Sequence, residues 1–321
     1  MSREGKVVED TNKLNTIETL KEDFRNLGIK KDMTLIVHSS LSSIGWVNGG
    51  AVSVIDALIQ IIGKDGTIIM PSQTGDLSDP KDWEKPPVPL SWHQEIRDTM
   101  PAFDVKKTPT RSMGVIVETF RKYKGVRRSN HPQVSFIAWG KNRDYILKNQ
   151  KLDYGLNDKS PLGKMYRLDT KVLLIGVDYD NNTSFHLAEY NSNLRKEIKQ
   201  SAPIIEDGKR VWKEFKDIDL DTEHFNEIGR EFEKEHEVVI GRVGQSRAKL
   251  FSQKECVDFA TEWMKNNEDK MIQKLTDEES YEVGSNLAAK TIAKNLLDVL
   301  DVEVIAKVTN LSEDDILDLK E

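Results

Sequence analysis

Val172-Leu173-Leu174-Ile175-Gly176-Val177 runs directly into Asp178-Tyr179-Asp180-Asn181-Asn182-Thr183-Ser184-Phe185-His186-Leu187-Ala188-Glu189-Tyr190. The first six residues are apolar and short, which predicts a buried strand. Asp and Asn crowd its exit, as a turn requires. Asn182 or Thr183 then caps a helix that starts near Ser184. His186 and Glu189 stand three residues apart, so they share one helical face close to its N-terminus. A carboxylate on one imidazole nitrogen sets the tautomer and frees the other nitrogen as a base. The same spacing also serves a histidine paired for stability alone. A strand end that feeds a helix start is also where open α/β sheets place ligands.

Working outward, Thr16 to Leu27 has apolar residues at Ile17, Leu20, Phe24 and Leu27 and stops at Gly28, an amphipathic helix. Met33 to His38 is a short buried strand that opens into Ser39-Ser40-Leu41-Ser42-Ser43-Ile44-Gly45-Trp46-Val47-Asn48-Gly49-Gly50. Ala51 to Ile62 reads as helix, Gly63 to Gly66 as turn and Thr67 to Met70 as strand. This β-loop-α-turn-β unit predicts two parallel strands. Residues 71–109 are irregular and Pro-rich, with a short helix over Ser91 to Asp98; so long a loop in a compact domain is usually functional. Further on, Gly114 to Tyr123 and Lys141 to Lys148 read as helices, Gln133 to Trp139 as strand, and Ser160-Pro161-Leu162-Gly163 as loop before a helix. Pro203 to Phe215 is a hairpin turning at Glu206-Asp207-Gly208-Lys209. Phe225 to Glu235 and Lys254 to Asn266 are helices around a strand at Val238 to Val243. Residues 1–15 read as loose. Residues 267–321 are charged, with helical spacing at Ile292, Leu296, Leu297, Leu300 and Val304.

Composition narrows the function classes. The net charge of −7 is dispersed, which argues against a nucleic-acid surface and is compatible with a cationic small substrate. A single cysteine, Cys256, allows no internal disulfide and suits a reducing compartment. No apolar run reaches membrane-spanning length, and Met1 to Asp10 has no apolar signal core. The expectation is a cytoplasmic protein without nucleic-acid or membrane partners; assembly as a homodimer stays open. The histidines His38, His93, His131, His186, His224 and His236 lack HExxH or CxxC companions, so no metal is expected. Cys256 sits on an amphipathic helix and reads as a buried, inert thiol.

Three other stretches carry chemistry. The serine-glycine loop after the first strand offers hydroxyls and amides at a helix start, which suits a phosphate, but it is neither a Walker A loop nor a dinucleotide fingerprint. Thr110-Arg111-Ser112-Met113-Gly114 puts a guanidinium fork at another helix start, where a plain surface arginine fits the sequence at least as well. Asp217, Asp219, Asp221 and Glu223 form an acidic run that could collect a polycation or simply be solvated. His131 in Asn130-His131-Pro132-Gln133 reads as a structural turn histidine.

In their order along the chain, Val37-His38-Ser39-Ser40-Leu41 to Gly50, Met70-Pro71-Ser72-Gln73-Thr74, Arg111-Ser112-Met113-Gly114, His131-Pro132 with Ser135, Ser160-Pro161-Leu162-Gly163 and Asn182 to Glu189 closely resemble the aminoglycoside N3-acetyltransferase family, over about residues 15–265. The resemblance implies an α/β fold on a mixed central sheet flanked by helices, distinct from GNAT acetyltransferases. It implies acetyl-coenzyme A (acetyl-CoA) as co-substrate and an aminoglycoside or related small amine as acceptor. Carried over, His186 is the general base and Glu189 its orienting partner. Ser39, Ser40, Ser43, Arg111, Met113 and Gly114 line the coenzyme, and Asp76 and Asp221 face the acceptor. Transfer is expected to be direct, with no acyl-enzyme. N-acetylation of another amine, or coenzyme binding without turnover, are the alternatives. The domain reading is 1–267 for the acetyltransferase and 268–321 for a helical C-terminal extension, whose stretch Thr291 to Asp314 resembles the tail of some bacterial transposase-like nucleases.

Overall fold

In the computed structural model, Val172 to Ile175 is fully buried within β5 (Lys171–Ile175), part of a seven-stranded sheet. The structure describes residues 3–84, 86–271, 289–297, 299–309, 311–317 and 319. The strand order is β3-β4-β2-β1-β5-β9-β8. Here β1 is Thr34–Ser39, β2 Thr67–Pro71, β3 Arg127–Arg128, β4 Phe136–Gly140, β8 Val239–Val243 and β9 Ser246–Ser252. β1 pairs in parallel with both β2 and β5; the remaining pairs are antiparallel, so the sheet is mixed. β6 (Glu197–Glu206) and β7 (Lys209–Ile218) form a separate hairpin, longer than its sequence pattern shows. Its two-residue turn, Asp207-Gly208, has positive φ at both positions, as the twist of a tight hairpin demands.

Alternation along the central strands sorts two layers. Leu35 and Val37 of β1 and Leu173 and Ile175 of β5 join a core with Leu20 and Phe24 of α2 (Ile17–Asn26) and Val54 and Leu58 of α4 (Gly50–Ile62). The opposite face carries α9 (Ser184–Ser192), α10 (Phe225–Glu235) and α11 (Gln253–Asn266), tied together by rings: Tyr179 on Phe185 and Phe251, and Phe232 on Phe251 and Phe259. Because β1 and β5 are parallel neighbours, their C-terminal ends lie side by side, and the Ser40 N–H donates to Ile175 O at 2.9 Å.

Several elements depart from the sequence reading. Residues 3–15 are not loose: α1 spans Arg3–Glu9, Thr11 Oγ1 accepts from Trp46 N at 2.7 Å, and Asn15 Nδ2 donates to Ile44 O and Trp46 O. These bonds reach across the chain and leave no local pattern. β9 is missed because Lys249 interrupts its apolar run. That lysine is 5% exposed, neutralised by Asp178 at 2.6 Å and Glu233 at 2.9 Å, and lies over the Tyr179 ring. Ser160 is the N-cap and Pro161 the first residue of a helix (Pro161–Tyr166), three residues earlier than the loop reading allows.

Contacts divide the chain into two units, Met1–Ser78 with Ala102–Asn266, and Asp79–Pro101 with Asn267–Glu321. In the second, Arg97 pairs with Asp79 at 2.7 Å, and Ile305, Leu311 and Ile316 make a small apolar cluster around the helices Val302–Thr309 and Glu313–Leu317. Of the extension, residues 272–288 lie outside the described residues. Among the described residues no helix is long and apolar enough to cross a membrane.

Candidate active site

The parallel strand ends open into a cavity of about 900 Å³, within the range of small-molecule sites. β1 delivers Val37, His38 and Ser39 to its wall, the serine loop Ser40, Leu41, Ser42 and Gly45 to Val47, the 110–114 turn Ser112, Met113 and Gly114, and the β5 exit Val177, Thr183 and His186. The wall therefore mixes apolar surface with hydroxyls and one imidazole pair.

Local structure explains why α9 begins where it does. Asn182 Oδ1 accepts from Ser184 N at 3.2 Å, whereas Thr183 makes no side-chain cap. One turn in, His186 Nδ1 meets Glu189 Oε2 at 2.6 Å. His186 is mostly covered, its ring 5.0 Å from that of Phe225, and Glu189 is fully buried. With Nδ1 committed to the carboxylate, Nε2 is the nitrogen left to accept a proton.

A buried carboxylate is tolerable only when its oxygens are paired. The second oxygen of Glu189 accepts from Arg195 Nε at 2.8 Å and from the Asp221 backbone N–H at 3.0 Å. Arg195, its side chain 4% exposed, also stands 3.9 Å from the Asp221 carboxylate. Sequence reasoning missed Arg195, since it lies in the loop beyond α9 and nothing in its spacing points back to Glu189.

The other sequence-derived candidates divide. Ser39, Ser40, Met113, Gly114 and His186 line the cavity. Ser43 sits behind it, its hydroxyl on Ser40 Oγ at 2.9 Å and Gly176 O at 3.3 Å. Arg111 and Asp76 pair with each other at 3.2 Å, both well exposed; the Arg111 backbone N–H donates to Gln73 O at 2.8 Å, which holds the turn in place. Asp221 contributes its backbone to Glu189, and its carboxylate accepts from Glu223 N at 3.0 Å.

His131 is fully buried, its ring bonded to Leu152 O, Gln133 N and Val134 N, a turn-forming histidine; burial lowers it to about 4. Cys256 is buried, and desolvation pushes its thiol up. Among the described residues no group of three or more His, Cys, Asp or Glu is arranged to hold a metal.

Residues 36–265 match the family model described as aminoglycoside 3-N-acetyltransferase. The SPbeta prophage-derived aminoglycoside N(3')-acetyltransferase-like protein YokD of Bacillus subtilis is 53% identical over 270 residues, 84% of this chain and 99% of that one. The YokD crystal structure superposes with a TM-score of 0.82 over 83% of this chain and 99% of that one. Aminoglycoside N(3)-acetyltransferase III of Pseudomonas aeruginosa is 30% identical over 80% of this chain and 96% of its own. A binary structure of AAC-IIIb with CoASH (25% identical, TM-score 0.70, 79% and 97% covered) and AAC-VIa bound to sisomicin (26%, 0.71, 79% and 98%) share the fold. With the model matched over most of its length and a relative at 53% identity, the chain belongs to the aminoglycoside 3-N-acetyltransferase family.

Proposed function

We propose that this protein transfers the acetyl group of acetyl-CoA directly to the 3-amino group of an aminoglycoside, with His186 as general base. The observation that carries this reading is His186, held by the buried Glu189, on the wall of a cavity that is apolar enough for a pantetheine arm. The binary AAC-IIIb structure with CoASH supports coenzyme A as the carrier, and the AAC-VIa complex with sisomicin supports an aminoglycoside as acceptor. Ser39, Ser40, Met113 and Gly114 would lie along the coenzyme.

The chemistry follows from the pair. An ammonium is no nucleophile until it loses a proton. Once the ammonium has lost one proton to solvent, the neutral amine attacks the thioester carbonyl, His186 Nε2 takes a second proton from the nitrogen as the C–N bond forms, and Glu189 stabilises the imidazolium at Nδ1. Coenzyme A leaves as a thiol. Cys256, buried and held in its thiol form, offers no route through an acyl-enzyme.

One observation favours a second acceptor class. Asp76 and Asp221, the carboxylates expected to face a polycation, stand beside arginines, Asp76 with Arg111 and Asp221 with Arg195. A less cationic small amine would need neither freed. Thiol release and product mass spectrometry with acetyl-CoA and a panel of aminoglycosides and other amines separate the two. An acetylated aminoglycoside is expected, together with a loss of about 10²–10⁴ in kcat for His186→Ala. Release with another amine alone transfers the assignment to that class, and full turnover by His186→Ala removes the histidine from the reaction.

A further inference from the structure

His38 has no task in the mechanism above, yet it stands in the wall of the same cavity as His186. The alternation of β1 puts Leu35 and Val37 into the α2–α4 core and turns Ile36 and His38 to the other face. His38 is 8% exposed, and its Nε2 is buried without a hydrogen-bond partner. An unmet buried polar atom of this kind is destabilising. A phenyl ring would fill the space without that cost. The neighbouring hydroxyl of Ser39 is likewise buried and unmet.

We propose that a ring N–H of His38 is the donor that receives the thioester carbonyl oxygen and holds the oxyanion formed when the amine adds. The inference rests on the acetyl-transfer reading. In the step, the amine nitrogen bonds to the carbonyl carbon, the C=O π pair moves onto oxygen, and the amine proton goes to His186. The oxyanion pair then reforms the C=O bond, the C–S bond breaks, and the departing thiolate takes the proton from His186. His38 keeps its own proton and changes only the strength of one hydrogen bond. Burial, together with the nearby charge of a protonated His186, lowers His38 to about 3, so its ring stays neutral. A neutral imidazole suits this role. It donates without adding a second positive charge beside the imidazolium that must form at His186.

The test compares His38→Phe, His38→Asn and His38→Gln with wild type, using whichever acceptor, amine or water, gives the fastest thiol release from acetyl-CoA. Asn presents an amide N–H near the place of Nδ1 and Gln near that of Nε2. Expected for Phe is a kcat loss of about 10²–10³ with KM for acetyl-CoA little changed and no drop in melting temperature. One of the two amides should recover at least about tenfold over Phe. A mere packing role predicts neither the kcat–KM split nor the amide rescue. Should His38→Phe fail to fold, His38→Leu takes its place in the comparison. An active wild type with an equally fast Phe variant, or two amides as slow as Phe, overturns this inference alone. A wild type that releases no thiol with any acceptor overturns acetyl transfer and this inference together.

Discussion

Glu189 shows how much of the site depends on single atoms. One oxygen turns His186; the other is held by Arg195 and by a backbone N–H from Asp221. Removing one partner of a buried ion pair leaves an uncompensated charge, typically a loss of 3–5 kcal/mol. Arg195→Met should therefore lower stability by about that range and, because Glu189 is freed to turn away from Nδ1, lower kcat as well. Arg195→Lys should restore part of the stability but less of the rate, since an ammonium does not reproduce the directed Nε bond. Urea melts and steady-state rates on the two variants check both halves; a stable, fully active Arg195→Met would show that the Asp221 amide is enough.

At the scale of elements, the turn between β5 and α9 is clamped from outside. Gly229 of α10 lies against the Tyr179 ring, and a methyl there would come within 2.0 Å of Tyr179 Cγ. Tyr179 in turn stacks on Phe185, the residue before His186. Overpacking of this kind costs about 1–3 kcal/mol, and the displaced tyrosine pushes on the helix that carries His186. Gly229→Ala should thus reduce both melting temperature and kcat. Gly208→Ala, at the hairpin tip, has open space around its new methyl and only its φ of +76° to oppose it. It should cost about 1 kcal/mol and leave kcat alone. Thermal melts paired with turnover distinguish the two; equal effects on rate would break the proposed link through Tyr179.

At the scale of the whole molecule, buried histidines make the fold acid-sensitive. His131 and His38 are lowered by burial to about 4 and about 3, while an unfolded chain binds the proton near 6.5. Between those values the unfolded state carries more protons, so stability falls as pH drops. For His131 alone the loss from pH 7 to 4 is at most about 3 kcal/mol. Glu118 acts lower down. Against a desolvation that would raise it, Arg121 and the Thr110 N–H hold it at about 2. Its contribution is complete above about 4.5 and fades as pH falls toward 2. The urea midpoint should decline from pH 6.5 to 4, and decline less in His131→Asn. A midpoint flat down to pH 4.5 would contradict the burial of these rings.

Much of this architecture was legible in the chain because the information is local. The apolar run of β5, its Asp/Asn exit, the i, i+3 spacing of His186 and Glu189, the Asp-Gly hairpin turn and the stripe of α2 each depend on neighbours a few residues apart. Family resemblance supplied the mixed sheet and the cavity-lining Ser39, Ser40, Met113 and Gly114. What folding alone established comes from long-range pairing. Lys249 is a strand residue because Asp178 and Glu233 neutralise it, Arg195 reaches Glu189 from outside the helix, and Arg111 meets Asp76 at the surface. Periodicity records which face a residue takes; it cannot record which distant charge or carbonyl will be waiting there, because that partner is chosen only when the sheet closes.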